Sequence, residues 1–157
     1  LTGLLNRRAF QAAVDETLLK RISGIFIFID VDNFKNYNDK YGHANGDLCL
    51  KHFAAAMKKC FPKDSILGRY GGDEFVVYIK NAASDAAHRY MDEFQREISH
   101  LMMSGGEHVT VSASAGGVAF AGEGEDFVSL CRSADNMLYD VKRNGKGTFK
   151  MKGAKNM

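Results

Sequence analysis

The run Arg69-Tyr70-Gly71-Gly72-Asp73-Glu74-Phe75 constrains this chain more than any other stretch. Two glycines are followed at once by two carboxylates. Strand-forming residues lie on both sides, Ile66-Leu67 before and Phe75-Val76-Val77-Tyr78-Ile79 after. Apolar runs joined by a short glycine turn read as a β-hairpin, expected here over Ile66 to Lys80 with an acidic tip. Glycines at such a tip supply positive φ and let a ligand approach the backbone closely. Adjacent carboxylates can hold a hard cation such as Mg²⁺. Open backbone for phosphates beside acids for a metal is what nucleotide chemistry requires.

The rest of the pattern builds a sheet around that hairpin. Asn6 can cap a helix with Phe10, Val14, Leu18 and Ile22 on one face, ended by Gly24. Ile25 to Val31 carries no charge before Asp30 and reads as a strand buried on both sides. Helices are expected over Phe34 to Tyr41 and over Asp47 to Phe61, the first broken at Gly42 and the second stopped by Pro62. After the hairpin, an amphipathic helix is expected from Asp85 to Met103, where Phe94, Ile98 and Leu101 fall at helical spacing. A strand follows over Val109 to Ala115, continuing past Gly116-Gly117 to Phe120. The last helix spans Asp126 to Arg143, and a short basic strand covers Thr148 to Lys152. The predicted order is αβααββαβαβ. It describes an α/β fold, an α+β sandwich with a mixed, mostly antiparallel sheet of about five strands flanked by helices.

With 157 residues, one domain over 1–157 is the simplest organisation. A net charge of +2 argues against a nucleic-acid binder. Ile25 to Ile29 is too short an apolar run to span a bilayer, so no membrane contact is expected of the domain. Cys49, Cys60 and Cys131 form no CxxC pair and read as packing residues suited to a reducing cytoplasm. The chain starts at Leu1 and enters a helix almost at once. It reads as a domain excised from a longer chain, with an upstream sensor and even a membrane anchor as possible neighbours.

Candidate chemistry gathers first at the end of the buried strand. Asp30 and Asp32 point to one side of an extended chain. The carboxyl end of such a strand is where α/β proteins place function. Asp30 reads as a metal ligand, whereas Asp32 also fits a helix cap. Asn33 to His43 on its own reads as a polar surface helix, Asp47 as an N-cap, and the lysines and arginine from Lys142 to Lys155 as a solvated basic tail.

Taken together, these segments resemble the diguanylate cyclase family named for its Gly-Gly-Asp-Glu-Phe signature. The resemblance is carried by Asp30-Val31-Asp32-Asn33-Phe34-Lys35, Asn38-Asp39, Tyr41-Gly42-His43, Gly46-Asp47 and Arg69 to Phe75. Leu1 to Phe10 resembles the family's first helix and Ala134 to Lys142 its last. The family joins two GTP molecules into cyclic di-GMP and releases pyrophosphate, on a fold similar to the palm of polymerases and nucleotidyl cyclases.

The resemblance implies roles for individual residues. Asp30, the Val31 carbonyl and Asp73 match the ligands of two Mg²⁺ ions, with Mn²⁺ as an alternative. Asp73, Glu74 and Asp30 match the catalytic acids. Asn38 and Asp47 match the guanine contacts; a carboxylate there accepts from guanine N1–H and N2–H₂, which adenine lacks. Gly71 and Gly72 admit the nucleotide, and Lys142 and Lys146 match basic phosphate clamps, with Lys35 as a further phosphate contact. Lys146 stands where the family more often has Arg; the lysine keeps the charge but loses the planar fork. Each domain is expected to bind one GTP and to act as a transient antiparallel homodimer. Many members carry an Arg-x-x-Asp product site before the signature. Here the stretch is Pro62-Lys63-Asp64-Ser65, so product inhibition through it is expected to be absent. A non-catalytic GTP-binding regulatory module is the alternative reading.

Overall fold

The structure is a computed structural model that describes residues 1–152. Lys155, counted above in the basic tail, lies outside the described residues. The first helix, α1 (Arg7–Leu19), is capped by Asn6, whose side chain accepts from the Ala9 N–H at 2.8 Å. Phe10 and Val14 on its inner face are fully buried. The helix stops short of Ile22, with Arg21 at φ +58° in the reversal. Gly24 does not end it but opens the strand β1 (Gly24–Val31). A side chain there would strike the Ile79 carbonyl and the Tyr78 ring, so close strand packing explains this glycine.

All eight residues of β1 are buried, as the uncharged run predicts. It is flanked by β3 (Glu74–Lys80) and β6 (Ala113–Phe120), both antiparallel to it. The five-stranded sheet has the order β2-β3-β1-β6-β7, with β2 (Ile66–Arg69) and β7 (Phe149–Met151) at its edges. Only the β6–β7 pair is parallel. The fold class expected from the sequence is therefore the observed one.

Alternation along β1 assigns each side chain to a layer. Ile25, Ile27 and Ile29 pack with Phe53 and Met57 of α3 (His43–Cys60) and with Met91 and Phe94 of α4 (Ser84–Ile98). Phe26 and Phe28 face α1 and α5 (Phe127–Arg143), where the rings of Phe10, Phe26 and Phe127 meet edge to face at 5.8–6.2 Å.

Three further boundaries differ from expectation. The helix expected from Asp47 starts at His43 instead. Gly42, at φ +88°, ends α2 (Phe34–Tyr41) and opens α3, so the two helices abut without a loop. Asp47 is consequently inside α3 and is not its N-cap.

The helix expected to reach Met103 ends at Ile98, and β4 (His100–Met102) pairs with β5 (His108–Thr110) in a separate hairpin. Leu101 and Met103 are buried between exposed neighbours, a period of two that the helical reading of Leu101 missed. Closure of the turn at Gly106, whose N–H donates to the Met103 carbonyl at 2.9 Å, makes the pairing possible.

The single strand expected from Val109 is split, because Val111 and Ser112 leave the ladder between β5 and β6, while Gly116-Gly117 leaves β6 unbroken. No helix among the described residues is long and apolar enough to cross a membrane.

Candidate active site

The acidic tip is fastened beside the end of β1. Asp30 lies in register between Glu74 on β3 and Ser114 on β6. The Val31 N–H donates to the Asp73 carbonyl at 3.1 Å, and the Tyr70 N–H to the Glu74 carbonyl at 2.8 Å. Arg69 braces the turn from within: its Nε donates to the Gly71 and Gly72 carbonyls at 3.2 Å each, and its Nη2 to Gly72 at 2.7 Å. Neither Gly71 nor Gly72 has positive φ, which corrects the expectation of a left-handed turn. The need is for space. A Cβ on Gly71 would strike the Glu74 carboxylate, whereas Gly72 faces open space.

Asp30, Val31, Lys35, Asp73, Lys142 and Lys146 line one cleft of about 290 Å³. Asp30 is only 6% exposed. Its Oδ2 accepts from the Lys142 Nζ, and its Oδ1 is buried without a partner. Burial pushes its carboxyl up to about 6; the Lys142 hydrogen bond opposes that rise and the Asp73 charge adds to it. Lys142 is held above the usual lysine range. Burial disfavours its charge, but Asp30 first, then Asp73 and Glu74, outweigh that. Among the described residues no three His, Cys, Asp or Glu side chains cluster closely enough to hold a metal alone. Two carboxylates, one of them with a buried oxygen left without a partner, and a backbone carbonyl nevertheless fit a hard divalent cation that draws its remaining oxygens from water and substrate phosphate, as Mg²⁺ does.

Glu74 opens onto a different cleft, shared with Tyr70, Cys131, Arg132 and Asp135. Burial first, then Asp73 and Asp135, raise its carboxyl above the usual range, with Lys142 and Arg7 pulling the other way. The Arg7 guanidinium lies 4.2 Å from the Tyr70 ring centroid. Arg7 and Asp135 were not singled out from the sequence. They come from α1 and α5, and no local pattern ties them to the hairpin.

Asn38 and Asp47 line neither cleft and sit instead at the α2–α3 junction. Asn38 packs its carboxamide against Gly46, with a buried, unpartnered Oδ1. Asp47 is exposed on the next residue. Asp32 does not cap α2: Asn33 holds that position at φ +56°, without a side-chain bond. Asp32 accepts instead from the Ser112 Oγ at 2.6 Å and the Ser114 Oγ at 2.5 Å. Lys146 projects from the turn after α5 and donates to the Asn33 Oδ1 at 2.9 Å.

A model of the diguanylate cyclase GGDEF domain matches residues 1–148. The chain belongs to the GGDEF family. This GGDEF domain is 33% identical over 152 residues to the cyclic di-GMP phosphodiesterase PdeR of Escherichia coli, covering 95% of the chain and 23% of PdeR. It is 35% identical over 121 residues to diguanylate cyclase A of Treponema denticola, covering 76% of the chain and 33% of that protein. The chain therefore spans a third or less of these two relatives' length. Among solved structures, the GGDEF domain of PA1120 (YfiN or TpbB) from Pseudomonas aeruginosa superposes with a TM-score of 0.90 at 29% identity, covering 96% of this chain and 98% of that one.

Proposed function

We propose that this GGDEF domain is a diguanylate cyclase domain, condensing two GTP into cyclic di-GMP. The observation that carries the reading is the cleft in which Asp30, with its orphaned oxygen, and Asp73 face Lys142 and Lys146. Acids for a divalent cation and amines for a triphosphate share one small space, beside a turn that presents bare backbone.

In this reading the 3′-hydroxyl of one GTP attacks the α-phosphorus of the other. The new O3′–P bond replaces the bond to the bridging oxygen, and pyrophosphate leaves. Asp30, the Val31 carbonyl and Asp73 would hold Mg²⁺, with Mn²⁺ as a substitute. A metal at these ligands would lower the pKa of the attacking hydroxyl and offset triphosphate charge. Glu74, the second acid of the signature, opens onto the neighbouring cleft and would assist hydroxyl deprotonation or metal binding from that side. Lys35, Lys142 and Lys146 bind phosphate, and Gly71 and Gly72 leave room for it.

Asn38 and Asp47 read the guanine edge from the α2–α3 junction, where Asp47 is exposed to a ligand. One domain supplies one nucleotide, so the reaction needs two domains facing each other in an antiparallel homodimer. Pro62 and Ser65 stand where a product site would need Arg and Asp, so feedback through that site is absent.

One finding favours a second reading. A relative matched over nearly this whole chain is named a cyclic di-GMP phosphodiesterase, and that name suits a GTP-binding regulatory module better than a cyclase. Incubation with GTP and Mg²⁺, followed by detection of cyclic di-GMP, separates the two. The wild-type domain is expected to form product, and Asp73→Ala and Glu74→Ala to lose at least a hundredfold in rate. GTP binding without product at high domain concentration would favour the regulatory module.

A further inference from the structure

We infer that Asp32 is a positioning residue for the phosphate-binding lysine Lys146, acting through Ser114. The inference rests on the reading of Lys146 as a triphosphate contact. The network is continuous. The Ser114 Oγ donates its single proton to the Asp32 Oδ1 at 2.5 Å and accepts the Gly147 N–H at 3.0 Å. Ser112 donates to the other carboxylate oxygen at 2.6 Å. Ser114 is fully buried on β6, so its hydroxyl has no competing water. A carboxylate at one end of the chain orients the hydroxyl as donor and leaves its lone pair for the Gly147 amide.

The loop held in this way cannot easily hold itself. Gly145, Lys146 and Gly147 are three successive residues at positive φ, +111°, +62° and +72°. Two glycines tolerate this freely; a lysine does not. The strain at Lys146 persists only while its neighbours are tied down.

The ties are all present. The Lys146 N–H donates to the Val141 carbonyl at 3.0 Å, and its Nζ to the Asn33 Oδ1 at 2.9 Å. The Gln95 Nε2 lies 2.6 Å from the Ala113 carbonyl and 3.4 Å from that of Gly147. Asp32 thereby couples the end of β1, where the metal-binding acids lie, to the turn that carries the clamp. The second aspartate of Asp30-Val31-Asp32 is thus assigned to the phosphate side of the site, through a serine and a glycine far along the chain.

The test uses three variants of the whole domain, Ser114→Ala, Asp32→Asn and Lys146→Met, with the double variant Ser114→Ala/Lys146→Met. Ser114→Thr, which keeps the hydroxyl, is the rescue. Amide hydrogen exchange on the ligand-free protein reads the geometry without reference to activity. Gly147 is expected to lose protection at least tenfold in Ser114→Ala and Asp32→Asn, while the β1 amides keep theirs.

Calorimetric binding of GTP with Ca²⁺ reads the consequence. Ser114→Ala is expected to weaken GTP about tenfold. Its effect is expected to vanish in the Lys146→Met background, because the two act in series. Additive losses, or unchanged Gly147 protection, would overturn the inference. If Lys146→Met alone leaves GTP affinity unchanged, both this inference and the clamp role fail. If Lys146→Met weakens GTP and Ser114→Ala does not, only the inference fails.

Discussion

At the scale of single residues, the site depends on small clearances and on one buried charge. Gly46 lies so close to the Asn38 carboxamide that a Cβ there would strike its Oδ1. That oxygen ends a side chain and can move, so Gly46→Ala is expected to fold. The helix gains up to ~1 kcal/mol in propensity while Asn38 is displaced. GTP affinity is expected to fall about tenfold by calorimetry with little change in Tm. A large Tm loss instead would mean that the glycine serves packing alone.

Asp30 gives a prediction in pH. Burial raises its folded pKa to about 6 from an unfolded value near 3.8. The folded state therefore binds the proton more tightly between those values. Its contribution to stability is full below pH 4 and is lost as pH rises through 6. Urea unfolding in metal-free buffer should show wild type losing stability relative to Asp30→Asn over that window. At ~1.4 kcal/mol per decade of proton affinity, the loss is on the order of 2–3 kcal/mol. A pH-independent difference would show that Lys142 cancels the burial of Asp30. The raised pKa was not legible beforehand: Asp30-Val31-Asp32 announces a site, but not that one carboxylate is buried beside Lys142 and the other held by two serines.

Among the elements, the packing of α5 on β6 decides where Lys142 reaches. Gly116 is the contact point, where an added Cβ would meet backbone atoms of Ala134, Met137 and Leu138. Backbone cannot step aside as a side chain can. Gly116→Ala is expected to cost roughly 2–3 kcal/mol, read as a lower urea midpoint at unchanged m-value. Gly117→Ala meets only the side chains of Met151 and Phe149 and is expected to cost less. A ranking in the opposite order would place the tight contact on β7.

The elements themselves were largely readable. The uncharged β1, the acidic hairpin and the helix before Pro62 each carry a local signature. The β4–β5 hairpin was not readable, because Phe94, Ile98 and Leu101 suit a helix as well as a helix followed by a strand. Pairing with a segment beyond Gly106 broke the tie, and pairing is not a local property.

For the molecule as a whole, the proposed reaction joins two nucleotides, and one domain offers one cleft in which Asp30 and Asp73 meet Lys142 and Lys146. The specific activity of the purified domain is expected to rise steeply with its concentration at saturating GTP, and added cyclic di-GMP is expected to leave the initial rate unchanged. A flat concentration dependence would sink the two-domain reading, and strong product inhibition would require a product site away from Pro62-Lys63-Asp64-Ser65. The sequence by itself determined the family, the layered α/β fold and most of the acids and lysines, because hydrophobic period and signature segments are local and ordered along the chain. Only the tertiary structure decided how those residues are shared out. It turned Asp73 and Glu74 toward different clefts, placed Lys142 on Asp30, tied Asp32 through Ser114 to the Lys146 turn, and set Asn38 against Gly46. Each of these is a contact made by packing or across the sheet, where distance along the chain carries no information.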